Sequence, residues 1–334
     1  MSPDLRTRYL GFDLKNPLIA GASPLSDDVD GVRRLEDAGV AAIVLRSLFE
    51  EQITGEVLAT HRAMFESADS NAESLSFLPD PDDFVLGPDA YLEHVRRVVA
   101  AVDVPVIASL NGVTPGGWQS YARLIEEAGA NALELNLYRV PTAAADSGTA
   151  AESETLAIVR EIASSISIPL SVKLSPYYTS LAHMCRKLVD VGTQGLVLFN
   201  RFFEPDIDVD ALEYVAELNL SEPHELRARL RWIALLSGQV DADLAVTGGV
   251  HSALDVVKSL LAGADAVQLV SALLRRGPRH ANEVLAELRR WMLEYGYPSV
   301  ADLQGTMNAH RCPNPEVLGR ANYARLLQTW SPVR

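Results

Sequence analysis

The feature that most constrains the fold of this chain is a short phrase that occurs three times. Asp-Ala-Gly-Val-Ala-Ala (37–42), Glu-Ala-Gly-Ala-Asn-Ala (127–132) and Leu-Ala-Gly-Ala-Asp-Ala (261–266) each place a glycine between a helix-like pattern and an apolar run. A glycine in this position favours the left-handed conformation that ends a helix, and Gly192 offers a fourth example. The repetition predicts a recurring βα unit, which is typical of a parallel sheet flanked by helices.

Short apolar runs alternate with amphipathic stretches along the chain, and eight of these runs have the length of a strand. Eight parallel strands joined by helices close into a (β/α)8 barrel, also called a TIM barrel. We expect residues 1–334 to form one such domain, with long loops on the active face and a C-terminal helical extension that includes 284–295. The predicted strands are 18–22, 42–46, 104–110, 132–137, 170–174, 195–200, 244–247 and 266–270. The predicted helices include 31–38, 91–102, 118–128, 154–164, 181–191 and 253–261.

Composition excludes several classes of function. The 334 residues carry a formal net charge of −15, which argues against a nucleic acid or an anionic membrane as partner. Cys185 and Cys312 lie far apart without metal-ligand spacing, so they predict neither a disulfide nor a metal site and fit a reducing compartment. The chain shows no signal-peptide layout and no apolar run of the roughly 18 residues that span a bilayer. We expect a cytoplasmic protein with a small-molecule ligand, which could pair as a homodimer.

The segment 244–276 predicts a phosphate site. An apolar strand runs into Thr247, Gly248 and Gly249, and the next strand ends at Ser271. Two glycines at the carboxyl end of a strand expose backbone N–H groups, and a serine one βα unit later adds a hydroxyl. A (β/α)8 barrel binds phosphate at the loops after its last two strands. The alternative for the glycine pair alone is a tight turn.

Polar residues also close the other predicted strands, where a barrel places its active site. Amides there can bind the edges of a flat polar heteroaromatic molecule, although Asn136 and Asn200 could equally cap the following loops. Lys173 fits three roles that the residues leave open: a cation beside a flavin's pyrimidine edge, a Schiff-base lysine, or a structural partner of a buried carboxylate such as Glu134. The strand-end residues are Ala22, Ser23, Arg46, Ser47, Asn111, Asn136, Lys173, Asn200, Arg201, Gly248, Gly249 and Ser271.

Taken together, these residues resemble the dihydroorotate dehydrogenase family, the FMN-dependent barrels of pyrimidine biosynthesis. The segments that carry the resemblance are 16–23, 134–137, 172–174, 247–250 with 262–264, and 299–305. The resemblance implies FMN, with its phosphate at Gly248, Gly249 and Ser271 and with substrate beside Asn136 and Asn200. The residues that it implies around the flavin ring are Ala22, Ser23, Ser47, Asn111, Asn136 and Lys173. We add Arg46 and Asn200 to the candidate cofactor-binding residues. The lack of an N-terminal membrane segment is similar to the soluble class of the family.

The chain departs from the family pattern where the catalytic base is expected. After the Asn-Leu pair the family has a Cys or Ser that removes a proton from dihydroorotate, whereas this chain has Tyr138 and Arg139. Neither cysteine of the chain matches the position. We therefore assign Lys173, Asn136, Tyr138 and Arg139 as candidate catalytic residues.

Further departures concern the substrate and the phosphate. Arg46 replaces a lysine, Arg201 follows Asn200 where a serine is expected, and the substrate loop contains Ser74. A guanidinium can bind a carboxylate with two parallel hydrogen bonds, so the arginines suggest an anionic substrate. Val270 and Ser271 replace a Gly-Thr pair, which should weaken phosphate binding without abolishing it. The candidate substrate-binding residues are Arg46, Ser74, Asn136, Asn200 and Arg201.

These observations favour an FMN-dependent oxidoreductase of the dihydroorotate dehydrogenase superfamily, acting on a CH–CH group. Hydride would pass between flavin N5 and a small anionic substrate, dihydroorotate or a related compound. The sequence encodes no NAD fingerprint and no cluster, so fumarate, another small acceptor or a separate redox protein would take the electrons. The alternatives are a phosphate-binding barrel lyase or isomerase that uses Lys173 as an imine, and a non-catalytic flavin-binding protein.

Overall fold

The barrel that the sequence predicts is present in the structure. The computed structural model describes residues 2–52, 87–112, 118–137, 139–201, 204–215, 217–319 and 327–328. Within these ranges, eight parallel strands form a closed ring, because the first strand pairs with both the second and the eighth. The barrel strands, numbered first to eighth below, are Leu18–Ala20, Ala42–Val44, Val106–Asn111, Ala132–Asn136, Leu170–Leu174, Gly195–Leu198, Asp243–Thr247 and Ala266–Leu269. The predicted fold class is confirmed, while the single-domain interpretation stays a prediction.

Helices cover the outside of the barrel and end where the glycines predict. Gly39, Gly129, Gly192 and Gly263 have φ angles of 91°, 94°, 110° and 114°, a region that strongly favours glycine. Each lies between a helix and the strand that follows it. The helices are Val29–Asp37, Pro88–Val99, Trp118–Glu127, Gly148–Ala163, Leu181–Asp190, Leu226–Leu236, Ala253–Ala262, Ser271–Arg276, His280–Tyr295 and Val300–Leu303.

Two connections differ from the sequence-based expectation. The helix expected at 154–164 begins earlier, at Gly148, because the Ser147 hydroxyl caps it by accepting a hydrogen bond from the backbone N–H of Ala150 at 3.1 Å. The expected loop after the sixth strand contains an antiparallel hairpin, Asp206–Asp208 with Glu213–Val215. Most of the long connection predicted at 47–89 lies outside the described residues.

An N-terminal hairpin covers the amino end of the barrel. Its strands are Thr7–Tyr9 and Phe12–Leu14, and Leu10 lies buried at its turn. The backbone N–H of Leu10 donates to Oδ2 of Asp243 at 2.6 Å, and a Cβ atom at Gly195 would lie 2.6 Å from the Leu10 side chain. Gly195 and Asp243 begin the sixth and seventh strands, so the hairpin closes the end opposite the predicted active face. No helix in the described ranges is both long and apolar enough to cross a bilayer.

Asp265 is a largely buried carboxyl that precedes the eighth strand at this closed end. Its oxygens accept hydrogen bonds from the backbone N–H of Leu244 at 2.7 Å and from Nε2 of Gln304 at 2.5 Å. Burial nevertheless raises the pKa of Asp265 from 3.8 to about 6. Burial also raises the pKa of the neighbouring Asp243. The folded state therefore binds the Asp265 proton more tightly than the unfolded state does.

We predict that Asp265 makes the fold less stable at neutral pH than in mild acid. The protonated Asp265 stabilises the fold fully below the unfolded pKa of 3.8. This stabilisation is lost as the pH rises through the folded pKa of about 6. The loss should lower the free energy of unfolding by about 2 kcal/mol between pH 4 and pH 7. Urea denaturation at a series of pH values measures this change. Asp265→Asn is the matched variant because it cannot ionise, and an equal pH dependence in both chains would contradict the prediction.

Candidate active site

The carboxyl ends of the barrel strands surround two adjoining cavities. The first cavity, of about 240 Å³, is lined by the ends of the seventh and eighth strands, including Thr247, Gly248 and Ser271. The second cavity, of about 430 Å³, is lined by residues at the ends of the second, third and fourth strands. Volumes of a few hundred Å³ are typical of small-molecule sites. Both cavities are lined by Ala22, Ser23, Pro24, Lys173, Asn200 and Arg201, and the second also by Arg46, Ser47, Asn111 and Asn136.

Gly248 and Gly249 form a turn that has no room for side chains. Their φ angles are 85° and 76°. A Cβ atom at Gly248 would lie 2.8 Å from Nη2 of Arg229, and one at Gly249 would lie 2.4 Å from the backbone nitrogen of Leu226. The two glycines therefore let the turn pack directly against Arg229 and the start of the helix Leu226–Leu236.

Ser221 joins this turn to Ser271. Its hydroxyl accepts a hydrogen bond from the backbone N–H of Gly249 at 3.1 Å and donates to Oγ of Ser271 at 2.8 Å. The backbone N–H of Ser221 also donates to Oγ of Ser271, at 2.9 Å. The glycine turn and Ser271 thus lie together, as the sequence predicts. Ser221 was missed because it lies in a long connection, with no strand end to mark it.

Lys173 lies at the junction of the two cavities and also pairs with a buried carboxylate. Its Nζ is 3.5 Å from Oε1 of Glu134, whose side chain is fully buried. The other oxygen of Glu134 accepts a hydrogen bond from Nε2 of Gln268 at 2.6 Å. The structural partner considered for Lys173 is therefore present. The same ammonium lines both cavities, so pairing with Glu134 and facing a ligand are compatible.

Asn136 is held rigidly in the second cavity. Its Nδ2 donates to Oγ of Ser109 at 2.7 Å and to Oγ of Ser47 at 3.3 Å. Ser47 and Ser109 are hydrogen-bonded to each other at 2.8 Å. This network fixes the orientation of the Asn136 amide. Asn111 lies beside Asn136 on the neighbouring third strand and lines the same cavity. Asn200 is fixed more locally, because its Oδ1 accepts a hydrogen bond from the backbone N–H of Arg201 at 3.0 Å.

The predicted arginines are divided between the site and its surroundings. Arg46 lines the second cavity and pairs with Asp27 at 2.8 Å, while Arg201 lines both cavities and lies 3.9 Å from Glu225. Arg139 pairs with Glu154 and lines neither cavity. Tyr138 and Ser74 lie outside the described residues.

The geometry agrees with the comparison to known proteins. Residues 4–292 match the family described as dihydroorotate dehydrogenase. This chain belongs to the dihydroorotate dehydrogenase family. A protein of Aeropyrum pernix, provisionally named dihydroorotate dehydrogenase A (fumarate), is 33% identical over 65% of this chain and 71% of its own length. The catalytic subunits named dihydroorotate dehydrogenase B (NAD(+)) of Methanothermobacter thermautotrophicus and Pelobacter propionicus are 26% and 27% identical, over 90% and 92% of this chain and 97% and 99% of theirs.

Membership of the dihydroorotate dehydrogenase family confirms the resemblance and the prediction of an oxidoreductase of that type. Cys185 is not a substitute for the missing base, because it is buried in the helix Leu181–Asp190. Burial raises the pKa of the Cys185 thiol to about 12, so the group stays protonated at neutral pH. Within the described residues, no three His, Cys, Asp or Glu side chains are grouped so that they could hold a metal ion.

Proposed function

We propose that this member of the dihydroorotate dehydrogenase family is an FMN-dependent oxidoreductase that acts on a small anionic substrate. When bound, FMN would supply a hydride acceptor at N5. The observation that carries the proposal is that Gly248, Ser271 and Lys173 line the first of two adjoining cavities, and that Lys173 also lines the second.

The glycine turn fits the phosphate of FMN. Gly248 lines the first cavity, and a side chain at Gly248 or Gly249 would collide with Arg229 or Leu226. Ser221 and Ser271 add two hydroxyls within hydrogen-bond distance of each other. Phosphate oxygens accept hydrogen bonds from backbone N–H groups, hydroxyls and guanidinium groups.

The polar side chains of the second cavity fit the ring of a flavin. Asn111, Asn136 and Asn200 supply amides that can bind ring oxygens and nitrogens. Lys173 supplies a positive charge that would stabilise negative charge at the pyrimidine edge. The Glu134 carboxylate, 3.5 Å from Nζ of Lys173, holds this side chain in an ion pair at the junction of the two cavities, beside the amides. The geometry therefore favours the flavin role.

Cationic side chains around the second cavity support an anionic substrate, dihydroorotate or a related compound. Arg46 and Arg201 lie at its rim and can bind a carboxylate, while Asn136 and Asn200 can orient the substrate against the ring. Arg139 is paired with Glu154, and a guanidinium keeps its charge in proteins, so we assign it no proton transfer. Tyr138 remains the candidate for moving a proton. We propose fumarate, another small molecule or a separate redox protein as electron acceptor.

Anaerobic reduction of the FMN-loaded chain tests the proposal. A small anionic substrate should bleach the flavin, and dihydroorotate itself should bleach it slowly or not at all, because no Cys or Ser follows Asn136 and Leu137. Rapid bleaching by dihydroorotate would show that another residue supplies the base. Reduction by dithionite but by no anionic substrate would indicate a non-catalytic flavin-binding protein. Borohydride trapping of a carbonyl substrate on Lys173 would indicate the lyase or isomerase.

A further inference from the structure

Arg229 places a buried guanidinium directly beneath the glycine turn. Arg229 is 8% exposed and lines the first cavity together with Gly248 and Ser271. Nε donates to the carbonyl of Thr247 at 2.7 Å, and Nη1 donates to the carbonyl of Glu225 at 2.8 Å. These two bonds fix the plane of the group, and Nη2 is the atom nearest to where a Gly248 side chain would begin. The absence of that side chain is what lets the guanidinium reach the turn.

Among the described residues, the guanidinium of Arg229 has no hydrogen-bonded carboxylate. Arg229 and Arg201 share Glu225, because Nη2 of each lies 3.9 Å from a different oxygen of that carboxylate. A separation of 3.9 Å is too long for a hydrogen bond. Glu204 and Glu222 line a neighbouring cavity with these residues, and Glu222 is already paired with Arg275 at 2.5 Å.

A buried guanidinium is unfavourable unless a hydrogen-bonded anion offsets its charge. Burial lowers the pKa of Arg229, which reflects that desolvation. On the other side of the turn, the N–H and O–H groups of Ser221 and the N–H of Gly249 donate within the protein, which leaves the neutral hydroxyl of Ser271 as a donor there. Neutral donors can position a phosphate, but they do not neutralise it. Lys173, Arg201 and Arg229 all line this cavity, and Arg229 is the one of these three cations that lies against the glycine turn, so we take it as the counter-charge of the phosphate.

We propose that Arg229 binds the phosphate of the cofactor and makes this site select a phosphorylated flavin over riboflavin. The inference rests on the proposed function, because it assumes that a flavin occupies the cavity. Arg229 lies on the helix Leu226–Leu236 and not at the end of a strand, so the sequence pattern did not indicate it. Gly248 then has two functions, since it exposes its backbone and leaves space for the guanidinium.

The test compares the binding of FMN and riboflavin to the apoprotein by fluorescence titration. Arg229→Gln should weaken FMN binding by about 10- to 100-fold, which is the range for a hydrogen bond to a charged group. The same variant should leave riboflavin affinity within about twofold, because riboflavin lacks the phosphate. Arg229→Lys should recover part of the FMN affinity, since it restores the charge without the fork geometry. Arg227→Gln is the matched control, because Arg227 is an exposed arginine on the same helix.

Equal losses for FMN and riboflavin would overturn the inference, because they would show that Arg229 only holds the carbonyls of Thr247 and Glu225. An unchanged FMN affinity would overturn it as well. A third arm uses inorganic phosphate alone and measures the melting temperature of the apoprotein. If the wild type binds neither flavin, the proposed function fails. The anion site itself still stands in that case if phosphate raises the melting temperature of the wild type but not of Arg229→Gln, and it fails if phosphate has no effect.

Discussion

Gly249→Ala is expected to weaken FMN binding by about 100-fold or more. The φ angle of Gly249 is 76°, which for a residue with a side chain adds strain of about 1–3 kcal/mol. The new Cβ atom would also lie 2.4 Å from the backbone nitrogen and 3.0 Å from the Cα of Leu226. Backbone atoms cannot move aside as a flexible side chain can, so the turn and the helix Leu226–Leu236 must separate. A loss of 1.4 kcal/mol is already tenfold in affinity.

Gly296→Ala is the control that introduces the same backbone strain without a collision of the new Cβ atom. Gly296 ends the helix His280–Tyr295 with the same φ angle of 76°, and a Cβ atom there would meet nothing within 4 Å. It should lower stability through backbone strain and leave FMN affinity unchanged. Fluorescence titration of both variants measures the difference. Equal FMN affinity in the two variants would contradict the assignment of the glycine turn to the phosphate.

Lys173→Met is expected to destabilise the fold by about 3–5 kcal/mol, which is typical when one partner of a buried ion pair is removed. Glu134 is fully buried, and in the described part of the chain its Oε1 accepts no hydrogen bond. The ammonium of Lys173 is therefore what offsets its charge. The double variant Lys173→Met with Glu134→Gln should recover most of this stability, because Gln can still accept the hydrogen bond from Gln268. Urea denaturation measures all three chains.

The same pair of variants isolates the second role of Lys173. If its charge stabilises the reduced flavin, the midpoint potential of bound FMN should become more negative by about 30–60 mV in both variants. Recovery of stability without recovery of the potential would support a role toward the flavin. Potentials equal to that of the wild type would show that Lys173 serves only to pair with Glu134.

The barrel was predictable because its strands are buried on both faces. Parallel strands between helices and a packed interior read as continuous apolar runs, and Val106–Asn111 is a clear example. A second, independent signal came from Gly39, Gly129, Gly192 and Gly263, each of which lies between a helix and the next strand. The helix Leu226–Leu236 was not predicted, because Arg227, Arg229 and Arg231 interrupt its apolar pattern. Only the structure shows that one of these arginines is buried, since its charge lies beneath a turn some 20 residues later in the sequence.

The residues of the candidate site that lie at strand ends were predictable from the sequence. Because the carboxyl ends of barrel strands converge, Asn136, Lys173 and Gly248 could be placed near one another from sequence alone. Ser221 and Arg229 come from the connection and helix between the sixth and seventh strands, and no local pattern fixes where such residues lie. The expectation for Arg139 rested on its position after Asn136 and Leu137. The structure pairs it instead with Glu154 of the helix Gly148–Ala163, a contact that no local sequence pattern indicates.

The most direct test of the central claim is the flavin content of the purified chain. The protein should show a flavin absorbance spectrum, and denaturation should release about one FMN per chain, identified by its phosphate. If the flavin is lost during purification, the apoprotein should bind one equivalent when FMN is added. A colourless protein that binds no added FMN would contradict the assignment of the glycine turn, Ser271 and Lys173 to one cofactor site.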